Sequence, residues 1–229
     1  MKASIIFRTL VALAFLTLVL VPPADAQQRS DSLAVVPPAP PRSSEPREAL
    51  SPGALVAELR KGGYVLYFRH AATDLSQNDS KSLGPTDCAN QRNLSPKGRE
   101  DARAIGRAFH DLGIPVGKVL AGPMCRTMET ANLIFGQSEP STAVRGDVEF
   151  PSSDPRRFEA LRTLFVSPVR SETNLGIASH GNPFHGVAGP PYLEEGEVAV
   201  IKGAGADFDV VARIRPGAWP SIVSAAQGR

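Results

Sequence analysis

The chain has 229 residues, of which 42% are hydrophobic and 21% are charged, a balance that allows a buried core and argues against disorder throughout. Its formal net charge is +2 at pH 7, so it lacks the strongly basic surface with which proteins bind nucleic acids. Any attraction for an anionic ligand must therefore come from a local cluster of charges.

The first 26 residues have the pattern of an export signal. Lys2 and Arg8 precede an apolar segment from about Leu10 to Val21, and Ala24-Asp25-Ala26 supplies the small residues of a cleavage site. The apolar segment is short for a transmembrane helix. We therefore expect a signal peptide over 1–26, a periplasmic or secreted location and no stable membrane span after cleavage. An uncleaved membrane anchor is the alternative.

Residues 27–50 have the composition of a linker rather than of a folded segment. They are rich in Pro, Ser, Ala and Arg and include Val36-Pro37-Pro38-Ala39-Pro40-Pro41. Such a segment cannot build a core and is expected to be extended. The folded domain is then predicted over residues 51–229.

Helix and strand signals alternate through this domain. Helices are predicted from Ser51-Pro52 to Gly62, from Ser95-Pro96 to Gly113, over Met124–Phe135 and over Pro155–Val166; strands are predicted over Tyr64–Phe68, Lys118–Ala121, Leu175–Ser179, Glu197–Lys202 and Asp207–Ile214. The alternation predicts an α/β fold, with a three-layer α/β/α arrangement around a mostly parallel central sheet. The last two strands are expected to form an antiparallel pair at the edge of the sheet.

Three of the predicted strands lead into residues that suit phosphate chemistry. The first ends in Arg69 and His70, the second is closely followed by Arg126, and the third ends at His180. Because ligands bind at the carboxyl ends of parallel strands, these side chains can converge on one pocket. Guanidinium groups bind phosphoryl oxygens in pairs, and nearby cations keep an imidazole neutral and ready for attack. This set of residues requires no metal and no cofactor.

Four motifs follow one another along the same part of the chain. They are Arg69-His70-Ala71 with Thr73, Leu94-Ser95-Pro96-Lys97-Gly98, Gly122-Pro123-Met124-Cys125-Arg126-Thr127-Met128-Glu129-Thr130-Ala131, and His180-Gly181. The series resembles the signature of the histidine phosphatase superfamily, also called the phosphoglycerate mutase-like superfamily, and in particular its small exported bacterial branch. Gly122 stands where that family usually has a serine. The resemblance covers residues 63–183 and implies the family's α/β fold.

The resemblance also implies a role for each matched residue. His70 would be the nucleophile that takes the phosphoryl group and forms a phosphohistidine. Arg69, Arg126 and His180 would bind the phosphoryl oxygens and neutralise the charge that spreads over them in the transition state.

Two further residues are candidates for phosphate binding. Thr73 stands at the family's usual hydroxyl position, and Asn182 follows His180 closely. Each also has a purely structural interpretation, since Thr73 can cap a turn and Asn182 precedes a proline, as turn residues often do.

The proton donor for the leaving group is the least defined part of the predicted site. Some relatives carry an aspartate directly after the second histidine, but Gly181 occupies that position here. Asp147, Glu149 and Asp154 lie in the segment after the second motif, and we favour Glu149 as the general acid.

The two cysteines, Cys88 and Cys125, follow the predicted export signal. An oxidising compartment permits a disulfide between them that would pin the loop after the first strand. Two unpaired thiols are the alternative.

The sequence therefore predicts an exported phosphomonoesterase that uses neither metal nor cofactor. Its substrate would be a phosphorylated small molecule or an envelope glycan phosphate. Residues 184–196 are rich in glycine and proline and leave no room for a long helix, so we expect an open pocket. The alternative is a phosphate- or phosphosugar-binding protein of the same fold without turnover.

Overall fold

The computed structural model describes residues 43–46, 48, 50–146, 150–151 and 154–228. The predicted signal peptide, most of the predicted linker, and the candidate acids Asp147 and Glu149 lie outside the described residues. The boundaries proposed at the amino-terminal end therefore stay predictions.

A six-stranded mixed sheet forms the centre of the described domain. Its strands are β1 (Val65–Arg69), β2 (Val116–Ala121), β3 (Glu139–Pro140), β4 (Asn174–Ser179), β5 (Val198–Gly203) and β6 (Phe208–Ile214), arranged in the order β3-β2-β4-β1-β5-β6. The first four strands are parallel, whereas β5 runs antiparallel to β1, and β6 runs antiparallel to β5. The predicted α/β class, the mostly parallel sheet and the antiparallel pair at one edge are confirmed.

Helices cover both faces of this sheet. They are α1 (Pro52–Lys61), α2 (Pro96–Asp111), α3 (Cys125–Phe135), α4 (Glu159–Val166), α5 (Gly181–Ala188) and α6 (Trp219–Ala226). Side chains alternate between the two faces of a strand, so Leu66 and Phe68 pack with α1, α2, α3 and α6, while Val65 and Tyr67 pack with α4 and α5. Two hydrophobic cores result, which confirms the three layers.

The helix starts follow the predicted capping signals. Ser51 and Ser95 each accept a hydrogen bond from a first-turn backbone N–H, and each is followed by a proline. The helix predicted over Pro155–Val166 begins instead with a 3-10 turn at Pro155–Phe158 and becomes α-helical at Glu159. Helices α5 and α6 and the two-residue strand β3 were not predicted.

Part of the predicted linker packs against the domain. Ser44 is buried. Its backbone N–H donates to the carbonyl of Pro190 at 2.7 Å, and its hydroxyl donates to the carbonyl of Pro191 at 2.8 Å. The guanidinium of Arg213 donates to the same hydroxyl at 3.1 Å. Residues near Ser44 are therefore held against the loop before β5.

Candidate active site

Strand pairing brings the two predicted histidines together. Arg69 of β1 is paired in register with Ser179 of β4, so His70 and His180 follow at the same edge of the sheet. The backbone N–H of His70 donates to the carbonyl of Ser179 at 2.8 Å. The centres of the two imidazole rings are 5.4 Å apart, with their planes at 72°.

His70 has the properties of a neutral nucleophile. It is only 2% exposed, and burial together with the charges of Arg126 and Arg69 lowers its pKa to about 4, against the opposing effects of the Ala71 carbonyl and Glu195. Nδ1 lies 3.0 Å from the carbonyl oxygen of Ala71. Because a carbonyl only accepts hydrogen bonds, we assign the ring proton to Nδ1, which leaves the lone pair on Nε2.

His180 is fixed through its backbone. The buried hydroxyl of Tyr67 donates to the His180 carbonyl at 2.7 Å, and His180 lies at the amino-terminal end of α5. Burial, the neighbouring His70 and the surrounding arginines hold the pKa of His180 far below its ordinary value. Both rings are therefore neutral at physiological pH.

Two arginines flank the histidines, of which Arg126 is buried and Arg69 is partly buried. Arg69 donates through Nη1 to the carbonyl of Leu193 at 2.7 Å, and Arg126 pairs through Nη1 with Asp79 at 3.1 Å. The Nε atoms of Arg69, Arg126 and Arg92 are buried and have no hydrogen-bond partner among the described residues. All three arginines line the same cavity as the histidines, so the cavity wall carries guanidinium groups that suit phosphoryl oxygens.

Hydrogen bonds join the loop after β1 to α3 beside His70. The hydroxyl of Thr130 accepts a hydrogen bond from the Ala71 backbone N–H at 3.0 Å and donates to the carbonyl of Arg126 at 2.7 Å. Thr130 thus fixes the distance between the segment after His70 and the turn of α3 that carries Arg126.

Cys88 and Cys125 form a disulfide in the structure, with their Cα atoms 5.6 Å apart. Gln91 lies beside this bridge, where its side-chain oxygen accepts from the Cys125 backbone N–H at 3.0 Å. The bridge holds the loop between β1 and α2 against the start of α3. Asp79 belongs to this loop, which explains how it reaches Arg126.

Glu195 is a site residue that the sequence analysis missed. Its carboxylate accepts hydrogen bonds from the backbone N–H and the hydroxyl of Thr73, both at 3.0 Å, and pairs with Nη2 of Arg69 at 3.4 Å. Desolvation opposes its ionisation, but these bonds and the nearby His70 and Arg69 lower its pKa on balance. No local pattern in the Glu194-Glu195 pair predicts this contact, because the partners lie on a distant strand.

The remaining candidates are placed as follows. Thr73 is held by Glu195 and does not line the cavity, whereas Asn182 lines it and is exposed. Asp154 does not line the cavity, and its side chain pairs with Arg156. Glu149 lies outside the described residues.

An open cavity of about 760 Å³ surrounds these groups. Its charged lining, among the described residues, consists of Arg69, Arg92, Arg126, Arg145, Arg157 and Asp79. Burial raises the pKa of Asp79, but the hydrogen bond from the backbone N–H of Arg92 and the charge of Arg126 have the larger effect. The pKa of Asp79 is therefore lowered on balance. We call this space the arginine-rich cavity.

The described part of the chain lacks two features. It contains no cluster of three or more His, Cys, Asp or Glu side chains arranged to hold a metal ion. None of its helices combines the length and apolar character needed to cross a bilayer.

A sheet edge that joins two neutral histidines to buried, unpaired guanidinium nitrogens defines a phosphate-handling α/β protein. Residues 65–149 match the model of the histidine phosphatase superfamily (branch 1). This match confirms the resemblance seen in the motifs for that part of the chain. His180 lies beyond the matched segment and joins the site through the pairing of β1 with β4.

Two curated relatives bear the name serine/threonine-protein phosphatase Pgam5, mitochondrial. The one from Drosophila willistoni is 42% identical over 55 residues, which are 24% of this chain and 18% of the relative. The one from Drosophila grimshawi is 31% identical over 78 residues, which are 34% of this chain and 24% of the relative. The matched regions thus span only about a fifth to a quarter of these relatives.

Solved structures with a related arrangement have low sequence identity to this chain. The protein histidine phosphatase SixA complexed with tungstate is 18% identical, with a TM-score of 0.48, and the match covers 67% of this chain and 97% of that one. A phosphoserine phosphatase mutant from Entamoeba histolytica in complex with phosphoserine is 11% identical, with a TM-score of 0.46, and the match covers 66% and 95%.

Proposed function

We propose that this protein is a phosphatase that hydrolyses a phosphate monoester through a phosphohistidine on His70, without a metal ion. The observation that carries the proposal is the buried, neutral His70 ring beside His180, with Arg69 and Arg126 lining the same cavity. The match to the superfamily and the name of the two curated relatives agree with a phosphatase.

The reaction proceeds in two balanced steps. The Nε2 lone pair of His70 attacks phosphorus, the ester P–O bond breaks, and the leaving oxygen takes up a proton. Water then attacks phosphorus, the P–N bond breaks, the water loses a proton, and orthophosphate is released. Arg69, Arg126 and His180 bind the phosphoryl oxygens in both steps and offset their charge.

Glu149 remains our proposed donor of the proton to the leaving oxygen. Asp79 and Glu195 are poor alternatives at neutral pH, because both carboxyl groups have lowered pKa values and so are held ionised. An ester with a good leaving group needs less help from an acid.

Replacement of the nucleophile tests the proposal. We expect His70→Ala to lower kcat for p-nitrophenyl phosphate by at least about a thousandfold, because the proposed phosphohistidine cannot form without this ring. His110→Ala is the matched control, because His110 is exposed on α2, and it should leave kcat unchanged. The wild-type protein, quenched during turnover, should carry an acid-labile phosphate that His70→Ala lacks.

Full turnover by His70→Ala would contradict the proposal. The alternative of a phosphate-binding protein without turnover predicts a different result. In that case the wild-type protein would retain inorganic phosphate in calorimetry and hydrolyse no member of a phosphoester panel between pH 4 and 8.

We also propose that the domain works in an oxidising compartment, as a periplasmic or secreted protein. The disulfide between Cys88 and Cys125 supports this, because such bonds persist mainly outside the cytosol. An envelope glycan phosphate or a phosphorylated small molecule is then a substrate that the protein would meet. An intact mass of the exported protein that still includes residues 1–26 would contradict cleavage of the predicted signal.

A further inference from the structure

The arginine-rich cavity carries more positive charge than one phosphoryl group can offset. Five arginines and one aspartate line it among the described residues. A phosphate monoester brings up to two negative charges at neutral pH. With such a group bound at His70, and with Glu195 paired to Arg69 from outside the cavity, about one positive charge of the described lining would still face the cavity unmatched.

Arg145 and Arg157 contribute to this excess, and they lie outside the motifs that surround His70. No carboxylate among the described residues forms an ion pair with either side chain. The Nε of Arg157 is buried and has no partner in that part of the chain. Arg145 lies close enough to His180 for its charge to help lower the pKa of that ring. Both arginines are therefore available to a ligand that extends from the histidines.

The segments that carry Arg145 and Arg157 pack against α5 and β4. The ring of Phe158 lies between Gly146 and Gly186, so closely that a Cβ on Gly146 would be 2.6 Å from Cε1, and one on Gly186 would also clash with the ring. The guanidinium carbon of Arg157 is 5.1 Å from the centre of that ring. On the other side, Ser179 donates through its hydroxyl to the carbonyl of Val144, next to Arg145, at 2.6 Å. Arg145 and Arg157 are thus held by packing at the wall that α5 shares with the cavity.

We propose that Arg145 and Arg157 form a second anion-binding subsite, and that the substrate is a phosphate monoester whose leaving group carries a further phosphate or carboxylate. The proposal rests on the phosphatase function proposed above. The cavity volume of about 760 Å³ is within the range of pockets that hold a whole small ligand rather than a single phosphate. Guanidinium groups suit either anion, because both present paired oxygens.

Binding of stable analogues tests the subsite without requiring turnover. The probes are propylphosphonate with one anionic group, 3-phosphonopropionate with an added carboxylate, and propane-1,3-bisphosphonate with an added phosphonate. By calorimetry, we expect the wild-type protein to bind at least one of the two longer anions about tenfold or more tightly than propylphosphonate. The probe that gains more affinity identifies the preferred second anion.

Arg145→Gln and Arg157→Gln should each weaken binding of the longer anion by about 5- to 10-fold and leave binding of propylphosphonate unchanged, which removes most of the preference. Arg156→Gln is the matched control, because Arg156 adjoins Arg157 in sequence but pairs with Asp154 and does not line the cavity. It should keep the wild-type preference. Arg157→Lys retains the charge and should keep part of the preference for the longer anion. The melting temperature of every variant reports whether the fold is intact.

Equal affinity of the wild-type protein for all three probes would overturn the subsite, as would an unchanged preference in both glutamine variants. A loss of affinity for all three probes alike, with a lowered melting temperature, would show a structural role instead and also count against the proposal. Hydrolysis of p-nitrophenyl phosphate is measured in parallel. Its absence from a protein that still prefers the longer anions would refute the phosphatase function and leave the subsite standing.

Discussion

At the scale of single residues, Glu195 lies beside both Arg69 and His70. It joins Arg69 and Thr73 from the loop before β5, and its charge acts on His70. The side chains of Arg69 and Glu195 are both only 22% exposed, so solvent screens their ion pair weakly. We regard Glu195 as a positioning residue, because it does not line the cavity.

We expect Glu195→Gln to lower kcat/KM for p-nitrophenyl phosphate by about 5- to 30-fold, the usual effect of losing a charge-assisted contact. The variant should also shift the pH profile. The negative charge of Glu195 favours the protonated form of His70, so its removal should lower the pKa of His70 and move the acidic limb to lower pH.

Glu194→Gln is the control for this variant. Glu194 is adjacent and exposed, and it pairs with Arg215 at 3.1 Å on the surface. It should leave the rate and the pH profile unchanged. A purely structural role of Glu195 would be indicated if its replacement lowered the melting temperature while the acidic limb stayed in place.

The sequence was a good guide to the residues that end the strands and a poor guide to those that support them. Arg69, His70 and His180 could be placed because apolar runs stop abruptly at them. Glu195 could not, because its relation to Arg69 depends on the antiparallel pairing of β5 with β1. Glu149 stays a prediction.

At the scale of secondary structure elements, the start of α2 packs directly on the segment after His70. The carbonyl of Ala72 accepts hydrogen bonds from the backbone N–H and the hydroxyl of Ser95, and it lies against Cα of Gly98. A Cβ on Gly98 would clash with that carbonyl. This contact explains the glycine of the Leu94-Ser95-Pro96-Lys97-Gly98 motif in physical terms.

We therefore expect Gly98→Ala to lower the free energy of unfolding by about 1–3 kcal/mol, because a backbone carbonyl must move to admit the methyl group. Gly53→Ala is the matched control in the first turn of α1. A Cβ there has no atom within 4 Å, so this variant should be neutral or more stable by up to about 1 kcal/mol. Urea denaturation measures both, and equal effects would refute the explanation.

The sequence predicted helices α1 and α2 but not helix α5. The ends of α1 and α2 were predictable from Ser-Pro starts and following glycines. Helix α5 was not, because Gly181, Pro183 and Gly186 are unfavourable within a helix. Burial of Phe184 in the core against Tyr67 stabilises it instead, and such a tertiary contact is invisible in local sequence.

At the scale of the whole molecule, burial of His70 and His180 makes stability depend on pH. The folded protein keeps His70 neutral down to about pH 4, whereas an unfolded histidine takes up a proton below about pH 6.5. Between these values only the unfolded state binds the proton. The free energy of unfolding must therefore fall as the pH is lowered from about 6.5 towards 4.

We expect the wild-type protein to lose about 2 kcal/mol more stability than His70→Gln between pH 7 and pH 5, as measured by urea denaturation. Carboxyl groups that titrate in this range act on both proteins alike, so the difference isolates His70. His110→Gln, which replaces an exposed imidazole, should follow the wild-type curve. Parallel curves for wild type and His70→Gln would mean that the buried ring is protonated in the folded state.

Different parts of the fold hold the two histidines and the two arginines of the proposed subsite. His70 and His180 are aligned by the hydrogen bonds of the sheet itself, whereas Arg145 and Arg157 come from segments outside it. If Arg145 and Arg157 select the substrate as proposed, exchange of the chain between β3 and α4 should alter substrate choice while the sheet hydrogen bonds keep His70 and His180 aligned.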